Sequence, residues 1–163
     1  MKTAPAGLQQ QFEFEKLLAA MMTEATEAIR QARSGQEQIE KLKKGAASEL
    51  ARSLDAFSKD LASQLTPPPG PGASAKNGLT TLNGQLSGLY GDIDSADAAP
   101  TAAQAAAMTK VAGEARRVLA GWKKFVSTDL AALNGKLKSA GLDEIKLSSK
   151  APAAEEDDAS DLE

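Results

Sequence analysis

The sequence contains neither cysteine nor histidine among its 163 residues. Without cysteine there are no disulfides, no thiolate nucleophile and no Cys-ligated zinc. Without histidine the chain lacks the usual general base, the Ser-His and Cys-His dyads, and the commonest metal-binding side chain. We therefore predict that the chain is not an enzyme and has no catalytic, cofactor-binding or metal-binding residues.

Long apolar stretches are also missing. The longest unbroken run, Leu17 to Met22, is far shorter than the roughly 20 residues that a membrane-spanning helix needs. The N-terminal stretch MKTAPAGLQQQFEFE has no apolar segment of the signal-peptide kind. We expect no membrane association and no signal peptide in this sequence.

Aromatic residues make up only 4% of the chain, although 42% of it is hydrophobic, and alanine and leucine supply most of that fraction. This composition is typical of a helical bundle. Residues 1–142 carry 17 basic and 14 acidic side chains, a net charge of +3, whereas residues 143–163 carry two and eight, a net charge of −6. The net charge of +3 on residues 1–142 is too small to indicate a nucleic-acid partner.

Apolar spacing predicts four helices, at about 7–44, 48–65, 77–95 and 101–140. The apolar seam of the first has steps of three and four and is made of Leu18, Met21, Ala25, Ala28, Ala32, Gly35, Ile39 and Leu42. Leu8, Phe12 and Phe14 extend this seam toward the N-terminus, and Gly35 is interpreted as a close-packing site. The other three seams comprise Leu50, Leu54, Phe57, Leu61 and Leu65; Leu79, Leu82, Leu86, Leu89 and Ile93; and Met108, Val111, Ala115, Val118, Trp122, Phe125 or Val126, Leu130, Leu133 and Leu137.

Several residues mark the predicted helix ends. Gly45 and Gly141 are expected to stop the first and last helices. Ser48 is a plausible N-cap, and the pair Thr101 and Gln104 has capping-box spacing. Cap-type residues within the last helix, Thr128 and Asp129, are taken as the mark of a kink.

Three segments are predicted to be non-helical. Residues 1–6 form an N-terminal linker, and the Pro/Gly-rich residues 66–76 form a solvated internal linker. Residues 148–163 form a disordered acidic tail.

The helix order long-short-short-long allows two packings. In the first, the short helices lie end to end, so the antiparallel up-down bundle has three helices in cross-section; the alternative is a four-helix bundle. We favour the first because it places the bulky start of helix one beside the Ala-rich start of helix four. It also places the small-residue end of helix one beside Trp122 and Phe125. The predicted fold is all-α.

Glycines at 84, 88 and 91 lie on or near one stripe of the third helix. A phosphate-binding loop is not supported, because no strand precedes them and no Lys-Ser/Thr pair follows. We interpret them as positions that admit a neighbouring backbone or a large ring such as that of Trp122, Phe57 or Tyr90.

Some acidic and aromatic residues are candidates for a metal-binding, catalytic or ligand-stacking site. Asp92, Asp94 and Asp97 resemble the opening of a calcium loop, but Gly at the sixth position and Glu at the twelfth are missing, so polar capping is favoured. Glu13 and Glu15 lie on different faces of a helix. Trp122 and Tyr90 are suited to stacking on a sugar or peptide, yet their seam spacing favours the core.

Several motifs carry a family resemblance: Ala4-Pro5-Ala6-Gly7-Leu8, Leu82-Asn83-Gly84 with Leu86, Ala96 to Thr101, and Asp129-Leu130 through Leu142. With these motifs the chain resembles the C-terminal helical region of large bacterial proteins with BNR or sortilin-type β-propeller repeats, which are often labelled glycosyl-hydrolase-like. The resemblance implies a C-terminal appendage of an exported parent, periplasmic or extracellular, with any hydrolase activity located in the propeller.

Three hypotheses follow for the function. The first is a non-catalytic helical assembly module that packs against or extends from an upstream β-propeller of the same parent. The second is a freestanding coiled-coil adaptor that homodimerises through Phe12 and Phe14. The third is an accessory domain of a glycosyl hydrolase. The expected oligomeric state is a monomer or a weak homodimer.

Overall fold

A computed structural model describes residues 5–68, 78–96 and 99–148, and these residues form helices and connecting segments without any strand. The helices are α1 (Pro5–Lys43), α2 (Ser48–Leu65), α3 (Leu79–Asp94), α4 (Ala102–Phe125) and α5 (Ala131–Ser139). A π-helical turn, Val126–Leu130, joins α4 to α5. The all-α prediction is confirmed.

The helices form the three-membered cross-section in which α2 and α3 lie end to end. At one end of the rod, the Gln11 side-chain amide donates to the Ile93 carbonyl (3.1 Å) and that of Gln104 to the Asp92 carbonyl (3.1 Å). At the other end, Lys43 of α1 pairs with Asp55 of α2 (2.6 Å). The contacts thus place α3 beside the first half of α1 and α2 beside its second half, as the favoured packing predicts.

Gly78 permits the junction between the two middle helices. It is the N-cap of α3, and a Cβ there would collide with the Leu65 carbonyl group at the end of α2 and with the Pro67 ring. Backbone therefore packs directly on backbone where the chain returns from the linker, and only glycine leaves room for this contact.

Most of the core comes from the predicted seams. In the last helix, however, Ala112 and Leu119 are buried whereas the predicted Val111 and Val118 are only half-buried, and the predicted seam also differs at the N-terminus. Leu18 and Ala32 are fully buried, and all five seam residues of α3, four leucines and Ile93, are buried as well. By contrast, Leu8 is 45% exposed and Phe12 is 60% exposed, so their assignment to the core seam was wrong; Phe14 is half-buried against the core. Phe12 lies two positions from Phe14 and therefore about half a turn away around α1, and of these two rings only that of Phe14 packs against the core of the described residues.

Gly35 is a close-packing site, as predicted. It is buried, and a Cβ there would lie 3.0 Å from Leu147 Cδ2 and 3.3 Å from Leu61 Cδ2. The absent side chain therefore makes room for two leucines from different parts of the chain.

The helix ends agree with the sequence signals in two cases and differ in one. The Thr101 hydroxyl accepts from the Gln104 amide (3.2 Å), and Gln104 Oε1 accepts from the Thr101 amide (2.8 Å), which completes the capping box. Gly141, with φ +72°, ends α5 in a Schellman turn closed by the Leu142 amide on the Leu137 carbonyl (2.9 Å). Ser48 is the first residue of α2 and the N-cap is Ala47, so the cap was misplaced by one residue.

The irregularity predicted at Thr128 and Asp129 is the π-helical turn. The Thr128 hydroxyl donates to the Lys124 carbonyl (2.8 Å), and the Ser127 hydroxyl donates to the same oxygen (3.0 Å). Two consecutive buried residues of the α4–α5 seam, Phe125 and Leu130, are here five positions apart, whereas the usual spacing is three or four. Because a π turn closes with one more residue than an α turn, it returns Leu130 to the core face.

The predicted linkers are only partly covered by the described residues. Pro5 and Ala6 already belong to α1, so the N-terminal linker does not reach residue 6 as predicted. Thr66 to Pro68 are non-helical. The remaining parts of these predictions, residues 1–4, 69–76 and 149–163, lie outside the described residues.

Candidate interaction surfaces

The exposed apolar side chains of α1 form a small face near its start. Leu8 and Phe12 are four residues apart and therefore lie one above the other on the helix surface. Gln11 contacts the last turn of α3, so residues 5–10 lie beyond the end of α3. No residue from 5 to 12 is charged. We call this pair the Leu8–Phe12 face.

Leu17 is the third exposed large hydrophobic residue, at 38%. It lies nine positions from Leu8, which is about half a turn around a helix with 3.6 residues per turn. Leu17 therefore does not belong to the Leu8–Phe12 face. It provides an exposed apolar residue of the same helix on the opposite side.

A shallow groove of about 300 Å³ lies between α1 and α4 beside the π-helical turn. Its lining includes Ala28, Gln31 and Trp122, and the indole N–H of Trp122 donates to Gln31 Oε1 (3.3 Å). Trp122 is only 4% exposed and stacks on Phe125, whose ring stacks in turn on Phe57 at 5.0 Å between centroids. The tryptophan ring is therefore part of the core. The charged side chains of the groove are Glu24, Glu27 and Lys123, and Lys123 pairs with Glu24 at 3.2 Å.

Tyr90, the other aromatic residue considered as a stacking platform, is half-buried and packs against the core. The Trp122 ring, at 4% exposure, presents no open face on which a sugar could lie.

The three α3 glycines do not make room for a neighbour. Gly84, Gly88 and Gly91 are exposed, and a Cβ built on any of them would meet no atom within 4 Å. The prediction that a backbone or a large ring approaches them was therefore wrong. Their spacing of four and three matches the seam spacing, but the stripe faces outward because the leucine seam of α3 takes up the inner face.

The acidic residues at the C-terminal end of α3 form no metal-binding group in the part of the chain that is described. Asp92 and Asp94 are exposed, and Asp97 lies outside that part. No group of three potential ligands is found among the described residues. Asp92 takes part in the turn through its carbonyl oxygen, which accepts from Gln104, so capping here uses the backbone and not the carboxylate.

Among the titratable groups of the described residues, the pKa of one is shifted, at the end of α1. The hydrogen bond from Lys43 to Asp55, and to a smaller extent that to Glu40, raises the pKa of Lys43 above its usual 10.5. The ammonium lies 2.6 Å from Asp55 and 3.3 Å from Glu40. This ion pair ties α1 to α2 and provides no catalytic group.

A second candidate surface was not foreseen in the sequence. After Gly141 the chain continues without helical structure as residues 142–148, which we call the strap. Ile145 of the strap is 2% exposed, and Leu147 lies over Gly35. A signal for it is present: apolar residues at 145 and 147, two apart, follow a helix stop, and this period is typical of extended chain.

None of the helices in the described ranges is both long enough and apolar enough to cross a bilayer. No protein-family model, curated protein or solved structure matches the chain. The function is therefore inferred from the chain's own residues.

Proposed function

We propose that this chain is a non-catalytic helical module that mediates assembly through the Leu8–Phe12 face. The observation that carries the proposal is the exposure of Phe12, at 60%, beside Leu8, at 45%, on one side of α1. Burying a leucine or phenylalanine side chain is worth about 1.5–3 kcal/mol. Two such side chains on one uncharged helix face provide an apolar anchor for a partner, as interface cores do.

We further propose that the module is the C-terminal appendage of a larger bacterial protein with a β-propeller. The resemblance of its motifs to the helical tails of BNR and sortilin-type propeller proteins supports this assignment. In such a parent the propeller lies on the N-terminal side of α1, and the Leu8–Phe12 face is at the end of α1 that points toward it.

A second candidate is a freestanding adaptor that homodimerises, and the same face favours it. The proposed dimer surface is Leu8 with Phe12, and not Phe12 with Phe14, because Phe14 packs against the core of its own chain. The two candidates differ in the partner that covers the face.

The test compares two single variants of the full chain. Phe12→Ser removes the most exposed ring, and Leu17→Ser removes an exposed apolar residue of the same helix on the opposite side. Sedimentation measures self-association, and titration with the propeller domain of the parent protein measures the other pairing. If the face is an anchor, Phe12→Ser weakens one of these associations by roughly 30-fold, the equivalent of about 2 kcal/mol, and Leu17→Ser leaves it unchanged.

The proposal fails if the unmodified chain stays monomeric at high micromolar concentration and also does not bind the propeller. It also fails if both variants weaken association equally, because the effect is then not specific to the face. A concentration-dependent rise in melting temperature with sugars or divalent ions would instead support a ligand-binding role.

A further inference from the structure

The strap is held at the end of the rod opposite to the Leu8–Phe12 face. It follows directly on the Schellman turn at Gly141 and contacts α5 and α1. Its contacts combine backbone recognition with apolar burial, which is how proteins bind extended peptides.

Two side-chain amides hold consecutive residues of the strap backbone. Asn134 of α5 accepts from the Ile145 amide (2.8 Å) and donates to the Ile145 carbonyl (3.0 Å). Gln38 of α1 accepts from the Lys146 amide (3.0 Å) and donates to the Lys146 carbonyl (2.8 Å). Each amide thus exchanges two hydrogen bonds with one residue, as an antiparallel neighbouring strand does.

The strap side chains alternate in the manner of an extended chain. Ile145 and Leu147 face the helices, whereas Lys146 between them is exposed. Leu147 lies where a Cβ on Gly35 would come within 3.0 Å of it. The surface under the strap, formed by Gly35 and Gln38 of α1 and Asn134 of α5, is called the strap groove below. It accepts an extended segment with apolar residues at two alternate positions.

We propose that this groove is a docking site for the strap of a second copy of the chain, so that two copies associate by exchanging straps. Its recognition elements are the backbone of two consecutive residues and the side chains of Ile145 and Leu147, and none of these depends on the strap belonging to the same molecule. The strap's own sequence is shown to fit, which identifies the second copy as the partner. Exchange of an identical element is a common route to dimers.

The connection at Gly141 determines which molecule supplies the strap. In the closed chain a short link holds the strap beside the groove, at an effective concentration on the order of millimolar. At micromolar concentration the chain's own strap therefore occupies the groove. Opening of the turn at Gly141, whose φ of +72° suits glycine, is the step that frees the strap for exchange.

The experiment mixes two full-chain variants that are complementary. One carries Ile145→Asp, which prevents its strap from docking and leaves its groove intact. The other carries Gln38→Ala and Asn134→Ala, which weaken its groove and leave its strap intact. Both also carry Phe12→Ser, so that association through the opposite end does not contribute and the two proposals can fail separately.

Each variant alone is expected to sediment as a monomer. An equimolar mixture at about 0.1–1 mM, where weak complexes are populated, is expected to form a heterodimer. The control adds Ile145→Asp to the chain with the weakened groove, and its mixture with the first variant is expected to remain monomeric. A heterodimer that persists in the control, or a mixture that stays monomeric, overturns the proposal.

A second variant guards against a folding defect. Lys146→Pro removes the amide that Gln38 accepts from, and it leaves the buried apolar side chains unchanged. Used in place of Ile145→Asp, it is expected to give the same heterodimer. Equal helical circular dichroism for all variants shows that the bundle itself is intact.

Discussion

Replacing the three outward glycines of α3 by alanine should stabilise the protein. Glycine in a helix interior is about 0.8–1 kcal/mol less favourable than alanine, chiefly because the unfolded chain loses more conformational freedom on folding. Gly84, Gly88 and Gly91 all lie inside α3, are exposed, and have open space where a Cβ would be. Nothing in the described part of the fold offsets the gain in helix propensity.

The three contributions should add. Cβ atoms three or four residues apart on a helix are about 5–6 Å from each other, so the new methyl groups neither collide nor pack tightly. The triple variant Gly84→Ala, Gly88→Ala, Gly91→Ala should therefore raise the free energy of unfolding by about 2–3 kcal/mol. For a chain of this length the gain corresponds to a rise in melting temperature of roughly 5–10 °C.

Urea unfolding followed by circular dichroism measures the change, and a second glycine provides the contrast. Gly78→Ala should destabilise by about 1–3 kcal/mol or more, because its Cβ meets the Leu65 backbone and the Pro67 ring, which have little freedom to move away. A triple variant no more stable than the parent would refute this reasoning. It would show that the outer stripe of α3 contacts another part of the protein or a second molecule.

Two further predictions concern the helix ends. Thr101→Ala should lower the free energy of unfolding by about 1 kcal/mol, since it removes the side-chain acceptor for the Gln104 amide; urea unfolding measures it, and an unchanged midpoint would mean that the capping box contributes nothing. The pKa of Lys43 is raised by Asp55, so the contribution of this pair is fully present below pH 10.5 and is lost as pH rises through the raised pKa. Unfolding from about pH 9 to 11.5 should therefore show a steeper fall in stability for the parent than for Asp55→Asn, and equal slopes would contradict the assignment.

The parts of the fold that could be predicted are those in which the sequence repeats a period. The inner face of α3 was predicted correctly at all five seam positions because four leucines and one isoleucine follow helical spacing without interruption. The Thr101–Gln104 capping box and the Gly141 stop are local patterns whose partners lie within five residues, so they too could be recognised.

The wrong predictions concern side chains whose burial or contacts depend on residues that are distant in the sequence but close in space. Leu8 was assigned to the seam of α1 although it lies beyond the contact of Gln11 with the last turn of α3. Phe12 lies about half a turn around the helix from Phe14, and of these two rings only that of Phe14 packs against the core. The α3 glycines have the spacing of a packing stripe, and only the position of the seam around the helix shows that they face outward. Gln38 and Asn134 are ordinary polar helix residues until the strap lies between them, more than 100 residues from Gln38 along the chain.

The two candidate surfaces are far enough apart to act independently. Phe12 and Gln38 are 26 positions apart on the single helix α1, which corresponds to about 39 Å at 1.5 Å per residue. Sites at this separation with no shared partners contribute additively. If both proposals hold, we expect a partner on the Leu8–Phe12 face not to affect strap exchange, so the proposed anchor and the proposed strap site would engage different partners at opposite ends of the rod.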